Sequence, residues 1–473
     1  MYDILIVGGG VIGCSIARNL SKYEKKIIVL EKEADVCEGT SCANSAIVHS
    51  GYDPLPGTLK AKLNVEGNKM FDKLCDELDV EFMRIGSITL ANNEEEVEEL
   101  NKLMERAKEN GVEVKLLSQE ELREIEPNVT SQALKGLLAP TAGIINPFEL
   151  TIASMENAMD NGVELALNQE VKSIERKDNK FIVHTQNKVY ETKMIINASG
   201  VYADIVNEMV NEHSFDIIPR RGEYSILDHF SMDYVKHTLF NVPSAKGKGV
   251  LFSPTTHFNY LIGPSADFVD ERDDVSTSIK GLSEIKNQVL RLVDDPQYPQ
   301  QIRTFSGLRA YSDNNDFIIE ETSPSFINVA GIQSPGLASS PAIAKMVEDM
   351  IKDKKLKESW NPRRRKAVKL SRMSLEEKNE LVKKDKSFGH IVCRCEKVSE
   401  GEIVDVIRRN CGATTVKGVN KRIRPGMGKC QGGFCQEEVV RILARELNKD
   451  PMDILYSTSE SHLFVKDLNK EEN

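Results

Sequence analysis

Apolar residues first gather in two short unbroken runs, Ile4-Leu5-Ile6-Val7 and Ile27-Ile28-Val29-Leu30. Runs of this kind lack the alternation of a half-exposed strand and suit strands of a parallel sheet covered on both faces. Between them residues 11–22 repeat at helical spacing, so the chain opens with a βαβ unit. Further strands are predicted at residues 194–197, running into Ala198-Ser199-Gly200, and at residues 326–329, running into Ala330-Gly331. Both end as strands do when their loops face a ligand. Residues 94–110 place Val97, Leu100, Leu103, Met104 and Ala107 on one helical stripe that Gly111 stops, which predicts a surface helix without chemistry. Residues 78–140 and 215–305 mix short strands and turns, predicting an α+β domain dominated by a mixed or antiparallel sheet. The first domain is therefore discontinuous, built from residues 1–77, 141–214 and 306–358. A strongly charged stretch, 359–389, reads as a linker with some helix, and 390–473 as a small, mainly helical unit. No internal repeat or low-complexity segment is present.

Composition narrows the class without choosing a chemistry. At 473 residues, 40% hydrophobic and 29% charged, the chain is long enough for two or three domains with buried cores. A net charge of −11 argues against general affinity for nucleic acid, which relies on basic surface. The first residues lack the basic start and long apolar middle of a signal peptide, and no apolar run approaches the roughly 20 residues of a membrane helix. A cytoplasmic location is expected, with room for a peripheral membrane position through a partner. Nine cysteines are present. Cys14, Cys37, Cys42 and Cys75 are scattered, whereas Cys393, Cys395, Cys411, Cys430 and Cys435 crowd together, a pattern that reads first as metal binding and second as redox thiols.

Gly8-Gly9-Gly10-Val11-Ile12-Gly13 is a G-x-G-x-x-G between a buried strand and a helix, where glycines let the backbone approach a pyrophosphate at the helix N-terminus. Glu31 ends the next strand, where a carboxylate can hold a ribose hydroxyl, and Lys32 follows it. The small polar loop Thr40-Ser41-Cys42-Ala43-Asn44-Ser45-Ala46 then suits an extended cofactor.

These motifs, followed in order by Asn197-Ala198-Ser199-Gly200 and Gly331-Ile332-Gln333-Ser334-Pro335-Gly336-Leu337, resemble the D-amino-acid-oxidase-like FAD-dependent oxidoreductases over about residues 1–350. The resemblance implies an FAD-binding Rossmann-like domain and a substrate domain. It also implies FAD contacts from Gly8, Gly10, Val11, Ile12, Gly13, Glu31, Lys32, Thr40, Ser41, Asn44, Ser45, Val171, Ala198, Ser199, Gly200, Gly307, Ser334, Pro335, Gly336 and Leu337. Within that superfamily, His49-Ser50-Gly51-Tyr52-Asp53-Pro54, Arg220-Arg221-Gly222-Glu223-Tyr224 and Gly247-Lys248-Gly249-Val250 are similar to glycerol-3-phosphate oxidases and dehydrogenases. L-2-hydroxyglutarate dehydrogenases share His49-Ser50-Gly51 and Arg221-Gly222-Glu223-Tyr224. Oxidising a secondary alcohol needs a base for the hydroxyl proton, a role the resemblance gives to His49. By itself a histidine closing the run Ala46-Ile47-Val48 reads first as a buried structural one, and the resemblance reverses that order. A phosphorylated substrate needs cations, and the resemblance points to Arg309 and Lys248, with Ser334 beside them. Arg220 and Arg221 are weaker candidates, since that pair can equally orient the domain through Glu223.

Cys393-Arg394-Cys395 and, after 34 residues, Cys430-Gln431-Gly432-Gly433-Phe434-Cys435 form C-x-C and C-x4-C pairs. Four thiolates hold either zinc or an iron–sulfur cluster, and the single-residue gap of the first pair disfavours zinc. The arrangement resembles the bacterioferritin-associated-ferredoxin-like domain, which implies a 2Fe-2S cluster on Cys393, Cys395, Cys430 and Cys435. Cys411 is expected to be a buried thiol. Lys417, Lys421, Arg422, Arg424 and Lys429 make a basic run close to the proposed cluster that reads as raising its potential, as a docking face for an acidic partner, or as a solvated surface. The resemblance implies an FAD enzyme that oxidises glycerol 3-phosphate to dihydroxyacetone phosphate, with L-2-hydroxyglutarate or another 2-hydroxy acid as the alternative substrate, and passes electrons through a cluster to a partner subunit or quinone-linked chain. A flavin-binding redox subunit without turnover is the alternative of another class.

Overall fold

The computed structural model describes residues 1–231, 233–243, 249–458 and 460–464. The two apolar runs form β1 (Ile4–Val7) and β2 (Ile27–Leu30), joined by helix α1 (Val11–Leu20). They lie side by side in a six-stranded sheet ordered Glu164–Ala166, β2, β1, Ile195–Asn197, Phe326–Ala330 and Ile318–Ser323, parallel throughout except at the last edge. The absence of alternation is explained by two covered faces. Ile4, Ile6, Ile27 and Val29 pack into the helical layer, while Leu5, Val7, Ile28 and Leu30 join the core beneath an antiparallel meander, Val171–Lys177, Lys180–Thr185 and Val189–Thr192. Each fully buried aliphatic side chain contributes about 1.5–3 kcal/mol.

A short strand and a long helix place the next residues of interest. Strand β3 (Ile47–Val48) pairs with Gly143–Ile145, and helix α2 (Leu59–Leu78) starts at Thr58, whose hydroxyl accepts from the Ala61 amide. The helix at Glu94–Glu109 is capped by Asn93 and buries Val97, Leu100, Leu103 and Ala107, as its stripe predicts.

The second domain is built on a nine-stranded, largely antiparallel sheet. Its spine is one long hairpin-like pair, Ile217–Leu227 against Gln301–Ser312. The expected boundary at 305/306 falls inside that second strand, which runs unbroken between the two domains. A core of Leu239, Phe252, Tyr260, Ile262 and their neighbours fills one face.

Beyond residue 390 a two-stranded ribbon, Ile391–Cys393 with Val398–Ser399, leads into helices Glu400–Ile407, Val416–Ile423 and Gln436–Leu447 around their own apolar core. This unit is held on the first domain by buried ion pairs. Lys421, with a fully buried side chain, donates to Glu38 at 2.7 Å; Arg422 takes Asp35 at 2.7 and 3.0 Å; Lys417 lies 3.4 Å from Glu38. Three residues of the basic run are thus spent inward, against the expectation of a solvated or partner-docking face. The 359–389 stretch is pinned as well: Arg364 and Arg409 converge on the buried carboxylate of Glu156. Among the described residues no helix is long and apolar enough to cross a membrane.

Candidate functional site

The glycines of the first turn are required by contact. Gly8 has φ +106°, and a Cβ there would lie 2.5 Å from the Ala198 carbonyl oxygen; a Cβ on Gly13 would lie 2.0 Å from that of Gly8. α1 therefore starts flush against the strand end, with its amides open toward the loop. Val11 N donates to Ser41 Oγ at 2.8 Å, bringing the Thr40–Cys42 turn over the helix N-terminus. Gly10 and Ile12 complete the turn. Glu31, nearly buried, accepts from Gly9 N at 2.7 Å and Glu33 N at 2.9 Å. Burial pushes its carboxyl up, against the pull of those two amides. Two of its lone pairs are committed to the loop, leaving acceptor capacity for a ribose.

Lys32 pairs with Glu33 and Asp273, both at 3.3 Å, and its ammonium lies over the Tyr202 ring. Ser199 Oγ donates to Asn197 Oδ1, and Gly200 has φ +64°, so this turn abuts Gly8 from the neighbouring strand. Val171 buries its side chain under the sheet's other face and pairs with Thr185 in the strand ladder.

An open cleft lies between the two domains. It gathers Val11, Thr40, Ser41, Asn44 and Ser45 from the loop side, His49 after β3, Arg309 from the long strand pair, and Ser334, Pro335, Gly336 and Leu337 at the start of helix Gly336–Met350. The loop is braced internally: Asn44 donates to Ser41 O at 2.8 Å and accepts from Ala46 N at 2.8 Å, and Thr40 Oγ1 donates to Leu308 O at 2.5 Å. Gly307 permits this closeness, since a Cβ there would meet Ala43 O at 2.1 Å. His49 has its carbonyl fixed by Asn64 Nδ2 at 2.7 Å and Asn68 Nδ2 at 3.0 Å, and its ring lies 5.8 Å from that of Phe240.

Arg309 sits opposite Arg220 in register, and Gly222 leaves room for its guanidinium, a Cβ there falling 2.8 Å from Nη2. Among the described residues no carboxylate pairs with Arg309. Burial and the Arg309 charge together pull Arg220 below the usual arginine range. Arg221 points to the strand's other face, bound to Asp274 and to Ser276 Oγ at 3.1 Å, and the fully buried Glu223 anchors Ser278. The reading of Arg221 as an orienting residue fits; Arg220 faces the same side as Arg309. Lys248 lies outside the described residues.

The late cysteines come together as two pairs. Cys395 Sγ lies 3.5 Å from Cys430 Sγ, and Cys435 hydrogen bonds to Cys393, lowering that thiol to about 6 while its own goes up. Cys393 and Cys435 are buried, Cys395 exposed. Among the described residues no group of three such side chains converges on one ion position. Two thiol pairs suit a binuclear cluster, with two thiolates for each iron, better than one tetrahedral zinc. Cys411 is a buried thiol in the first domain's core, as expected.

Residues 3–350 match the model of the FAD dependent oxidoreductase family. The chain belongs to that family. Residues 391–445 of this flavoprotein match the BFD-like [2Fe-2S] binding domain, so its two cofactors are FAD and a 2Fe-2S cluster. It is 50% identical over 461 residues to a glycerol 3-phosphate dehydrogenase of Caloramator mitchellensis, covering 96% of each chain. A glycerol 3-phosphate oxidase of Mycoplasma genitalium is 35% identical over 373 residues, 76% of this chain and 97% of that one. Among solved structures, the dithionite-reduced L-alpha-glycerophosphate oxidase of Mycoplasma pneumoniae with FAD bound superposes with a TM-score of 0.74 at 31% identity, over 77% of this chain and 98% of that one.

Tyr224 and Gln333 also line this flavoenzyme's cleft, and neither was singled out from the sequence. Tyr224 OH meets Ser45 Oγ at 3.1 Å and its ring stacks on Phe305 at 4.8 Å. A signal was present: with a period of two, Arg220, Gly222 and Tyr224 share one face while Arg221 and Glu223 take the other.

Proposed function

We propose that this enzyme oxidises sn-glycerol 3-phosphate to dihydroxyacetone phosphate and passes the electrons through its cluster to a partner subunit or quinone-linked acceptor. The observation that carries the reading is Arg309, a cleft-lining cation set in register against a second arginine, Arg220. Two like charges held together across a strand pair favour an anion in the space they face. In this reading the Arg309 fork takes two phosphate oxygens, with Lys248 as a further cation. His49, whose main chain is clamped by Asn64 and Asn68, receives the proton of the substrate's secondary hydroxyl, and Ser334 bonds the substrate from the opposite wall. Gly8, Gly13 and the Ser41 turn cradle the pyrophosphate; Cys393, Cys395, Cys430 and Cys435 supply the thiolates. When bound, the flavin accepts a hydride and the cluster moves electrons singly. The relatives named as dehydrogenase and oxidase of glycerol 3-phosphate support the substrate.

Anaerobic mixing with glycerol 3-phosphate, L-2-hydroxyglutarate and glycerol tests it. Glycerol 3-phosphate should bleach the flavin fastest, and faster bleaching by the hydroxy acid would replace the substrate assignment. Enzyme stripped of iron and acid-labile sulfide should lose transfer to its acceptor while still bleaching; undiminished transfer would refute the relay.

A further inference from the structure

The segment between Glu31 and Thr40 does two things at once. On one side it closes over the glycine turn: Cys37 N donates to Gly9 O at 3.0 Å, and Val36 packs so closely that a Cβ on Gly9 would meet its Cγ1 at 3.1 Å. On the other side it receives the cluster domain: Lys421 Nζ donates to Val36 O at 2.8 Å, and Asp35 and Glu38 take the ion pairs. Val36 C=O and Cys37 N–H belong to one peptide unit. A continuous chain of hydrogen bonds therefore runs from the Lys421 ammonium, through that peptide, to the Gly9 carbonyl in the dinucleotide turn.

We propose that Lys421, a residue of the cluster domain, is a positioning residue for FAD. It acts through the 36–37 peptide, and the cluster domain is in this sense part of the flavin site. A cation on the carbonyl end polarises the peptide and strengthens the bond its N–H makes at the other end. Cys37 needs such support: it holds φ +63°, a left-handed conformation unfavourable for a residue with a side chain, in a fully buried position. The ammonium itself is kept charged in the interior by Asp35 and Glu38, which outweigh its burial. Without it the 36–37 peptide loses its anchor, and the turn that closes on Gly9 loosens.

The test uses the full-length holoenzyme with Lys421→Met, which preserves length and removes the donor. FAD release is followed by recovery of flavin fluorescence, and the cluster by iron and sulfide content and by the electron paramagnetic resonance of its reduced form. The FAD dissociation constant should rise about tenfold or more, with the cluster content and spectrum unchanged. Asp35→Asn weakens the ion pairs to both Lys421 and Arg422 but leaves Lys421 on Val36 O and Glu38, and should hold FAD within about twofold of the parent. Unchanged FAD affinity in Lys421→Met overturns the proposal; so does equal loss in both variants, which would assign the effect to interdomain ion pairing in general. If the Met variant does not fold, Lys421→Leu, which also removes the donor, is read against Asp35→Asn by the same criteria. None of these outcomes depends on which alcohol reduces the flavin.

Discussion

Replacing Arg309 by Met should separate binding from stability. Arg309 and Arg220 face one another across the strand pair, and like charges so placed cost roughly 0.2–1 kcal/mol. Removing one of them relieves that cost, so the folded protein should be as stable as the parent or slightly more so. The substrate loses a two-pronged, charge-assisted contact, each hydrogen bond to a charged group being worth about 1.5–3 kcal/mol. Taking about 3 kcal/mol as the loss, kcat/KM for glycerol 3-phosphate should fall roughly 150-fold. Glycerol, which lacks the phosphate, should be oxidised by parent and variant alike, so the preference for the phosphorylated alcohol should collapse by the same factor. Anaerobic stopped-flow bleaching of the flavin measures both substrates, and a thermal melt measures stability. A fall of less than about threefold for glycerol 3-phosphate, or an equal fall for glycerol, would refute the anion-binding argument. A large drop in melting temperature would show that Arg309 has a structural partner instead.

Three further outcomes are expected. His49→Ala should retain FAD yet lose reduction by substrate by about 100-fold or more in single-turnover mixing, since a positioned base contributes that much. Gly13→Ala should purify without flavin colour, because its Cβ would fall 2.0 Å from the Gly8 carbonyl and drive α1 off the strand end; normal FAD content would show that the turn can shift. Asp35 is held below the usual carboxylate range, burial opposing and Arg422 and Lys421 prevailing. Its contribution to stability is therefore complete above about pH 4 and is lost as pH falls from there toward its depressed folded value. Asp35→Asn should flatten that acid limb in urea melts taken between about pH 5 and 2.

How much was legible follows from range along the chain. The β1–α1–β2 unit, its glycines and Glu31 were readable because strand, turn and helix lie within about thirty residues and each local pattern admits few conformations. The Glu94–Glu109 helix was readable for the same reason, its stripe and its Asn93 cap being local. The late cysteines could be grouped because thiols in two close pairs have few other uses in such a chain. By contrast, the strand Gln301–Ser312 crosses an expected domain boundary because its pairing with Ile217–Leu227 is set some eighty residues away. Tyr224 became a cleft residue only through that pairing, which places it beside Phe305 and Ser45.

The basic run near the cysteines shows the division most plainly. The sequence by itself determined that Lys417, Lys421 and Arg422 are cations on one short helix, and that a flavin domain and a cluster domain share the chain. Whether those cations face water or protein depends on what lies opposite, and Asp35 and Glu38 stand nearly four hundred residues earlier. A charge carries no mark of its partner. Only the packed structure decided that these were spent inward, joining the cluster domain to the turn of the flavin site.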